Sequence, residues 1–228
     1  MFSVIFEVRP REDRFEEYLG LAKRLRPILE TVDGFIDNER FESRSRPGWL
    51  LSHSTWRDEK SVVRWRTVAE HHEVQQLGRE EILADYHLRV GDVSSDSDGP
   101  VHEQRFDVTA AGAAAAATLT EVTPGEDAEL DDDVDVPRLV GLDPGQAGLI
   151  DHDAFTSIYI PGKLALLASW ADAATAGGWA PAATATDLAV RHRVVRVVRD
   201  YAMFDRREAP QYYPDVPGRE TRHATPAT

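Results

Sequence analysis

The chain has 228 residues, 42% of them apolar and 29% charged, which suits one large soluble domain or two small ones of roughly 100 residues each. A net charge of −14 repels phosphate backbones and argues against nucleic acid as a partner. With no cysteine there are no disulfides, no thiolate metal ligands and no cysteine nucleophile. Phe2–Arg9 alternates like a strand, and it lacks the basic start and apolar core of a signal peptide. No apolar run approaches the roughly 20 residues that cross a bilayer, so the expectation is a cytoplasmic protein without membrane contact. Arg11–Thr31 carries Phe15, Tyr18, Leu19, Ala22, Leu25 and Leu29 at helical spacing, and Gly34 stops that helix. Phe35–Arg44 and Trp49–Trp56 read as strands joined by a turn built on Pro47-Gly48. Asp58 caps a helix through Val62, Trp65 and Ala69, which "HHEVQQLGREEI" extends or follows with a second short helix. Ala84–Val93 completes a βαββαβ unit of the ferredoxin-like kind.

The unit then recurs. "GFIDNERFESRSRPG" (Gly34–Gly48) returns as "GLIDHDAFTSIYIPG" (Gly148–Gly162), at a constant offset of 114 residues. Glu7, Pro10, Trp56, Asp58 and Trp65 match Glu121, Pro124, Trp170, Asp172 and Trp179 without a gap, and one inserted residue aligns Asp85-Tyr86 with Asp200-Tyr201. A sheet with helices on one face leaves its other face bare, so two such units in one chain pack sheet to sheet. The expected fold class is α+β: tandem ferredoxin-like repeats forming an intramolecular dimeric α+β barrel. The expected domains are residues 1–93, a linker over 94–117, a degenerate repeat over 118–204 and a Pro-rich tail over 205–228. The linker reads as a flexible joint or a short helix interrupted by Gly112. In the second copy, Pro137 and the acidic run Glu126–Asp135 leave little first helix, and Gly177-Gly178 with Pro181 leave a short second one. The acidic run reads as a solvated face, because it lacks the spacing of a calcium loop. Tyr212-Tyr213 is expected to pack down, and the last ten or so residues to be loose.

"VIFEVRP", "DGFIDNERFES", "PGWLLSHSTWRDEKSVVRWR" and "EHHEVQQLGREEILADYHLRV", within residues 2–93, resemble the antibiotic biosynthesis monooxygenase superfamily of dimeric α+β barrels. "RVVRDYAMFDRREAP" (Arg196–Pro210) resembles the C-terminus of such proteins. The superfamily includes quinone-forming oxygenases of aromatic polyketides as well as haem-binding and haem-degrading enzymes, so the resemblance specifies fold more closely than activity. Fused two-copy members resemble oxygenases that oxidise or open rings in angucycline-type pathways.

No dinucleotide fingerprint, P-loop, nucleophile elbow or metal-ligand spacing is present, so no tightly bound cofactor and no metal are expected. The remaining candidates are aromatics and histidines of the first copy. In resembling members a Trp on the second helix lines the pocket with a polar ring residue beyond it. A helix continuous from Asp58 puts Trp65 and His72 on one face, whereas a break near Ala69 exchanges the roles of His71 and His72. His71 and His72 align with Ala185 and Thr186, and His53 aligns with Leu167, the asymmetry left when one of two sites is lost. Trp65 recurs as Trp179, which a core role alone would also explain. Asn38 shares a strand face with Ile36 and Arg40 and is a candidate for a substrate carbonyl. Of Tyr86 and His87 only one can face the pocket.

The expected function is an oxygenase that uses O2 on a flat, phenolic, polyketide-like aromatic substrate in secondary metabolism. A deprotonated phenol can itself give an electron to O2, so the protein supplies a dry pocket, a base and donors for the developing oxyanion. His72 (or His71) is the expected base, His53 or Asn38 the polar orienter, and Trp65 with Phe41 the walls. Reduced flavin from a separate flavin reductase is the alternative electron source. Haem binding or degradation with an axial His, and a non-catalytic small-molecule-binding barrel, are the alternative functions. The internal pseudo-dimer is compatible with a monomer or a homodimer.

Overall fold

The computed structural model describes residues 1–125, 130–131, 133–182, 187–214 and 216. Ala185, Thr186, most of the last fourteen residues and part of the acidic run lie outside them. The first copy comprises β1 (Phe2–Pro10), α1 (Phe15–Leu29), β2 (Phe35–Ser43), β3 (Leu50–Trp56), α2 (Glu59–Arg66), α3 (Ala69–Leu77), a π-turn (Gly78–Ile82) and β4 (Leu83–Asp96). The second comprises β5 (Ala116–Pro124), α4 (Val136–Leu139), β6 (Leu149–Ser157), β7 (Leu164–Trp170), α5 (Ala173–Gly178) and β8 (Leu188–Ala202).

The repeat carries its local chemistry with it. Asp58 accepts the Ser61 backbone N–H at 2.8 Å and starts α2, and Asp172 accepts that of Thr175 at 2.8 Å and starts α5. Each such cap is worth about 1 kcal/mol. Gly34 and Gly148 hold φ of +87° and +81°, where a side chain is strained, and a Cβ on Gly34 would meet Ser61 Oγ at 2.0 Å. Trp56 and Trp170 are fully buried, their indole N–H groups donating to Ser54 Oγ (2.9 Å) and Thr118 Oγ1 (3.0 Å). An indole needs such a partner when it leaves water.

The eight antiparallel strands close into one barrel in the order β1-β3-β2-β6-β7-β5-β8-β4. The copies join along two seams, β2 with β6 and β4 with β8. Inside lies a core of Ile5, Phe41, Leu51, Leu119, Phe155 and Leu167, each worth about 1.5–3 kcal/mol when fully buried. Charged residues flank this core in matching places. Arg46 bridges Glu7 and Asp153 at 2.7 Å each, and Lys163 bridges Glu121 (2.6 Å) and Glu39. Glu7 and Glu121 are repeat equivalents, as are Glu39 and Asp153, so each cation ties one copy to the other.

Two expectations are corrected. By register, Val8 stands opposite Tyr86 whereas Val122 stands opposite Val190, so Asp200-Tyr201 is not the structural counterpart of Asp85-Tyr86. Tyr201 lies further along β8, paired with Leu88 across the seam. The connection after β4 is neither helical nor a free joint. Asp92 accepts the Arg105 backbone N–H at 2.6 Å, Arg105 pairs with Glu59 at 2.6 Å, and Thr109 donates its backbone N–H to Val197 O at 2.8 Å. The second copy's helices are short, as expected, with four residues in α4 and six in α5, and its sheet is covered by Val136, Val140, Leu142 and Trp179.

Candidate active site

A cavity of about 220 Å³ lies between α1–α3 and the helix-facing side of the first copy's sheet. Side chains alternate across a strand, so residue parity decides what enters it. Val4, Phe6, Asn38, Arg40, Ser52, Ser54 and Tyr86 face the cavity. Ile5, Phe41, Leu51 and His53 point the other way, into the barrel. The expected wall Phe41 and orienter His53 are therefore not in this site. Phe41 could never share a face with Asn38, three residues earlier on the same strand. His53 donates to or accepts from Ser3 Oγ at 2.7 Å and meets Arg193 Nη1 at 3.2 Å. Its burial, with the Arg193 charge beside it, pushes its pKa down to about 3. It is a neutral filler of the barrel interior, where the second copy uses Leu167.

The helix question has the opposite answer to the one continuity suggests. Thr67 closes α2, its hydroxyl bonded to Val63 O at 3.0 Å, and Val68 takes an extended conformation (φ −62°, ψ 130°) before α3 begins. The break turns His71 inward. Its ring stacks on Trp65 with centroids 4.0 Å apart and planes 14° from parallel, and its Nδ1 lies 3.0 Å from Trp65 O. Burial lowers its pKa to about 4, so it is a neutral imidazole near pH 7. His72, favoured as the base, is exposed and instead meets the Tyr213 hydroxyl at 3.1 Å.

Tyr86 faces the cavity, and His87, on the opposite face, bonds Asp200 at 2.7 Å. Asn38 is not free to bind a substrate carbonyl. Its amide N–H groups go to His53 O (2.9 Å) and Ser52 Oγ (3.2 Å), and its oxygen accepts from Arg40 at 3.2 Å. It positions Arg40, which also donates to Tyr159 OH at 3.1 Å from the second copy's hairpin.

Sequence reasoning missed the arginines. Six line the cavity against one carboxylate, Glu59. Arg26 pairs with Glu30 at 2.8 Å and Arg199 reaches Glu59 at 3.9 Å. Arg40, Arg66, Arg79 and Arg206 have no ion-pair partner among the described residues, and buried Nε atoms of Arg40, Arg66 and Arg79 make no hydrogen bond. The only trace in the sequence is an excess of basic residues in "VVRWR" and "FDRREAP", because their burial depends on the tail folding back. That tail, with β8, supplies Arg199, Tyr201, Arg206, Gln211 and Tyr213 to the first copy's cavity. Tyr213 packs down as expected, whereas Tyr212 is 91% exposed.

A family model described as antibiotic biosynthesis monooxygenase matches residues 1–77. A protein of Pyricularia oryzae named Jasmonate monooxygenase ABM is 44% identical over 223 residues, spanning 94% of this chain and 99% of that protein. Among solved structures, an aldoxime dehydratase is similar with a TM-score of 0.52 and 13% identity, over 86% of this chain and 80% of that one, a likeness of fold. A crystal structure of an antibiotic biosynthesis monooxygenase is 15% identical with a TM-score of 0.37, over 40% of this chain and 97% of its own.

Proposed function

The chain is a monooxygenase of the antibiotic biosynthesis monooxygenase family, and we propose that its substrate is a small apolar carboxylic acid of the jasmonate type. The observation that carries this reading is the cavity itself. In a chain of net charge −14, an apolar chamber has a charged lining that is nearly all arginine, four of them without an acidic partner among the described residues. Arg79 is buried and the other three are half-buried; cations drawn out of water without counterions are costly, and an anionic ligand with an apolar body offsets that cost. The fungal relative, similar along almost its whole length, bears jasmonate in its name. The flat phenol expected from the sequence finds less support. The sheet wall is Val, Ser and Leu more than aromatic, Phe41 is elsewhere, and one face of Trp65 is taken by His71.

Monooxygenation puts one atom of O2 into a C–H bond and releases the other as water, consuming two electrons and two protons. A jasmonate-type acid has no phenol to ionise, so the electrons come from an external donor, for which reduced flavin from a separate reductase is the candidate. The protein's own contribution is to hold the acid, exclude water and keep a neutral imidazole, His71, against Trp65, where it can accept or relay a proton. The apolar lining keeps that imidazole uncharged.

The test is turnover of jasmonic acid under isotopically labelled O2, with and without reduced flavin. One labelled oxygen in the product is the expected result, with methyl jasmonate a poorer substrate. Oxidation of polycyclic phenols without any of jasmonic acid would overturn the assignment.

A further inference from the structure

We propose that Arg79 and Arg206, converging on the hydroxyl of Tyr86, form the seat for the carboxylate of an apolar monocarboxylic acid. This deepens the substrate class proposed above and rests on it. Arg79 lies in the π-turn that ends α3, a wide turn of a kind that often re-aims side chains at functional sites. It is only 4% exposed. Arg206 comes from the other end of the chain, on the segment after β8, which a bond from Ala202 N to Asp205 O (2.7 Å) turns back. Each guanidinium places an Nη1 at 2.6 Å from the same Tyr86 oxygen.

Two like charges one oxygen apart, Arg79 buried and Arg206 half-buried, with no acidic partner among the described residues, are an unusual arrangement. The rings around them offset part of the cost. Tyr213 lies under both guanidiniums (5.6 and 5.5 Å), Tyr86 under Arg79 (5.8 Å) and Tyr201 under Arg206 (5.8 Å). The charge itself is not neutralised, and Arg79 Nε is buried without a hydrogen bond. Tyr86 accepts from both arginines, so its own hydrogen remains a third donor. Forked, charge-assisted donors suit a carboxylate better than a ketone or an alcohol.

Arg40 is the rival anchor, and the sheet separates the two. Arg40 is on β2 and Tyr86 on β4, with β3 and β1 between them. At strand spacing the two backbones are about 14 Å apart. Arg40 is moreover a single cation, bonded to Asn38 and Tyr159, whereas Arg79 and Arg206 are two that meet at one oxygen, although they too donate to backbone carbonyls, Arg79 to Met203 O (3.3 Å) and Pro214 O (3.4 Å) and Arg206 to Gln211 O (2.8 Å).

The test is calorimetric titration of the full chain with jasmonic acid, with decanoic acid and with the methyl ester of each. In the wild type the acids should bind roughly ten- to a hundred-fold more tightly than their esters. Arg206→Gln should erase that preference by weakening the acids alone, Arg206→Lys should restore part of it, and Arg40→Gln should leave it intact. Equal binding of acid and ester by the wild type, or no binding of any of the four, would overturn the seat. So would an acid preference that survives Arg206→Gln or disappears in Arg40→Gln. Should Arg206→Gln not fold, Tyr86→Phe, which removes the shared oxygen, must reduce the preference or the seat is wrong. If decanoic acid binds through Arg206 while jasmonic acid is not turned over, the seat stands and the jasmonate reading fails.

Discussion

Replacing His71 with Ala separates a working imidazole from a packing one, and the structure sets the size of both effects. The folded-state pKa is about 4 against an ordinary 6.5, so about one molecule in a thousand carries the charged ring at pH 7. If the neutral ring accepts the proton in the reaction, His71→Ala lowers kcat by roughly 10² to 10⁴, whereas His72→Ala, which loses only the Tyr213 contact, changes it little. The wild-type acid limb should fall near pH 4 and not near 6.5. Stability carries an independent signature. Between pH 6.5 and 4 the unfolded chain binds a proton at this position and the folded chain does not. The folded state is therefore favoured above pH 6.5 and loses that advantage as the pH falls to 4, by about 3 kcal/mol in all. His53 and His192 have depressed pKa values too and act with the same sign, so the quantity to read is the difference between proteins. Urea unfolding at pH 7.5 and 4.5 should show a shallower pH dependence for His71→Ala than for the wild type. Full turnover in a folded His71→Ala protein removes the imidazole from the chemistry. An unchanged pH dependence of stability means the ring is not buried neutral.

Trp179→Ala should empty the second copy's filled layer, where the indole lies 5.9 Å from Trp170 and 5.0 Å from His192, and cost about 3–5 kcal/mol in denaturant unfolding. On the proposal that the first copy carries the reaction, turnover per folded molecule should not change; a selective loss of turnover at preserved stability would refute that division. Two glycines should respond in opposite directions in thermal unfolding. Gly20→Ala, in α1 with nothing within 4 Å of the new methyl, should raise stability by about 0.5–1 kcal/mol, while Gly34→Ala, at positive φ and against Ser61, should lower it.

The duplication, the hairpin glycines, the capping aspartates and the alternation of Phe2–Arg9 were legible in the residues alone, because each depends on neighbours a few positions away. Parity even contained a warning that Phe41 and Asn38 could not line one wall. Two local features were ambiguous for the same reason that they are short. Val68 carries no Gly or Pro signal of a break, yet it takes the extended conformation that brings His71 in and turns His72 out. Tyr201 could be matched to Tyr86 by letters, yet the β4–β8 seam carries it to the first copy's side of the barrel. The site's charge was the least legible part. Arg79 and Arg206 are 127 residues apart, and nothing in either segment shows that they share an oxygen. Which arginines lose their solvent is decided only when the barrel closes and the tail folds back over the first copy's helices. Burial depends on contacts between distant segments, and a linear pattern records only the near ones.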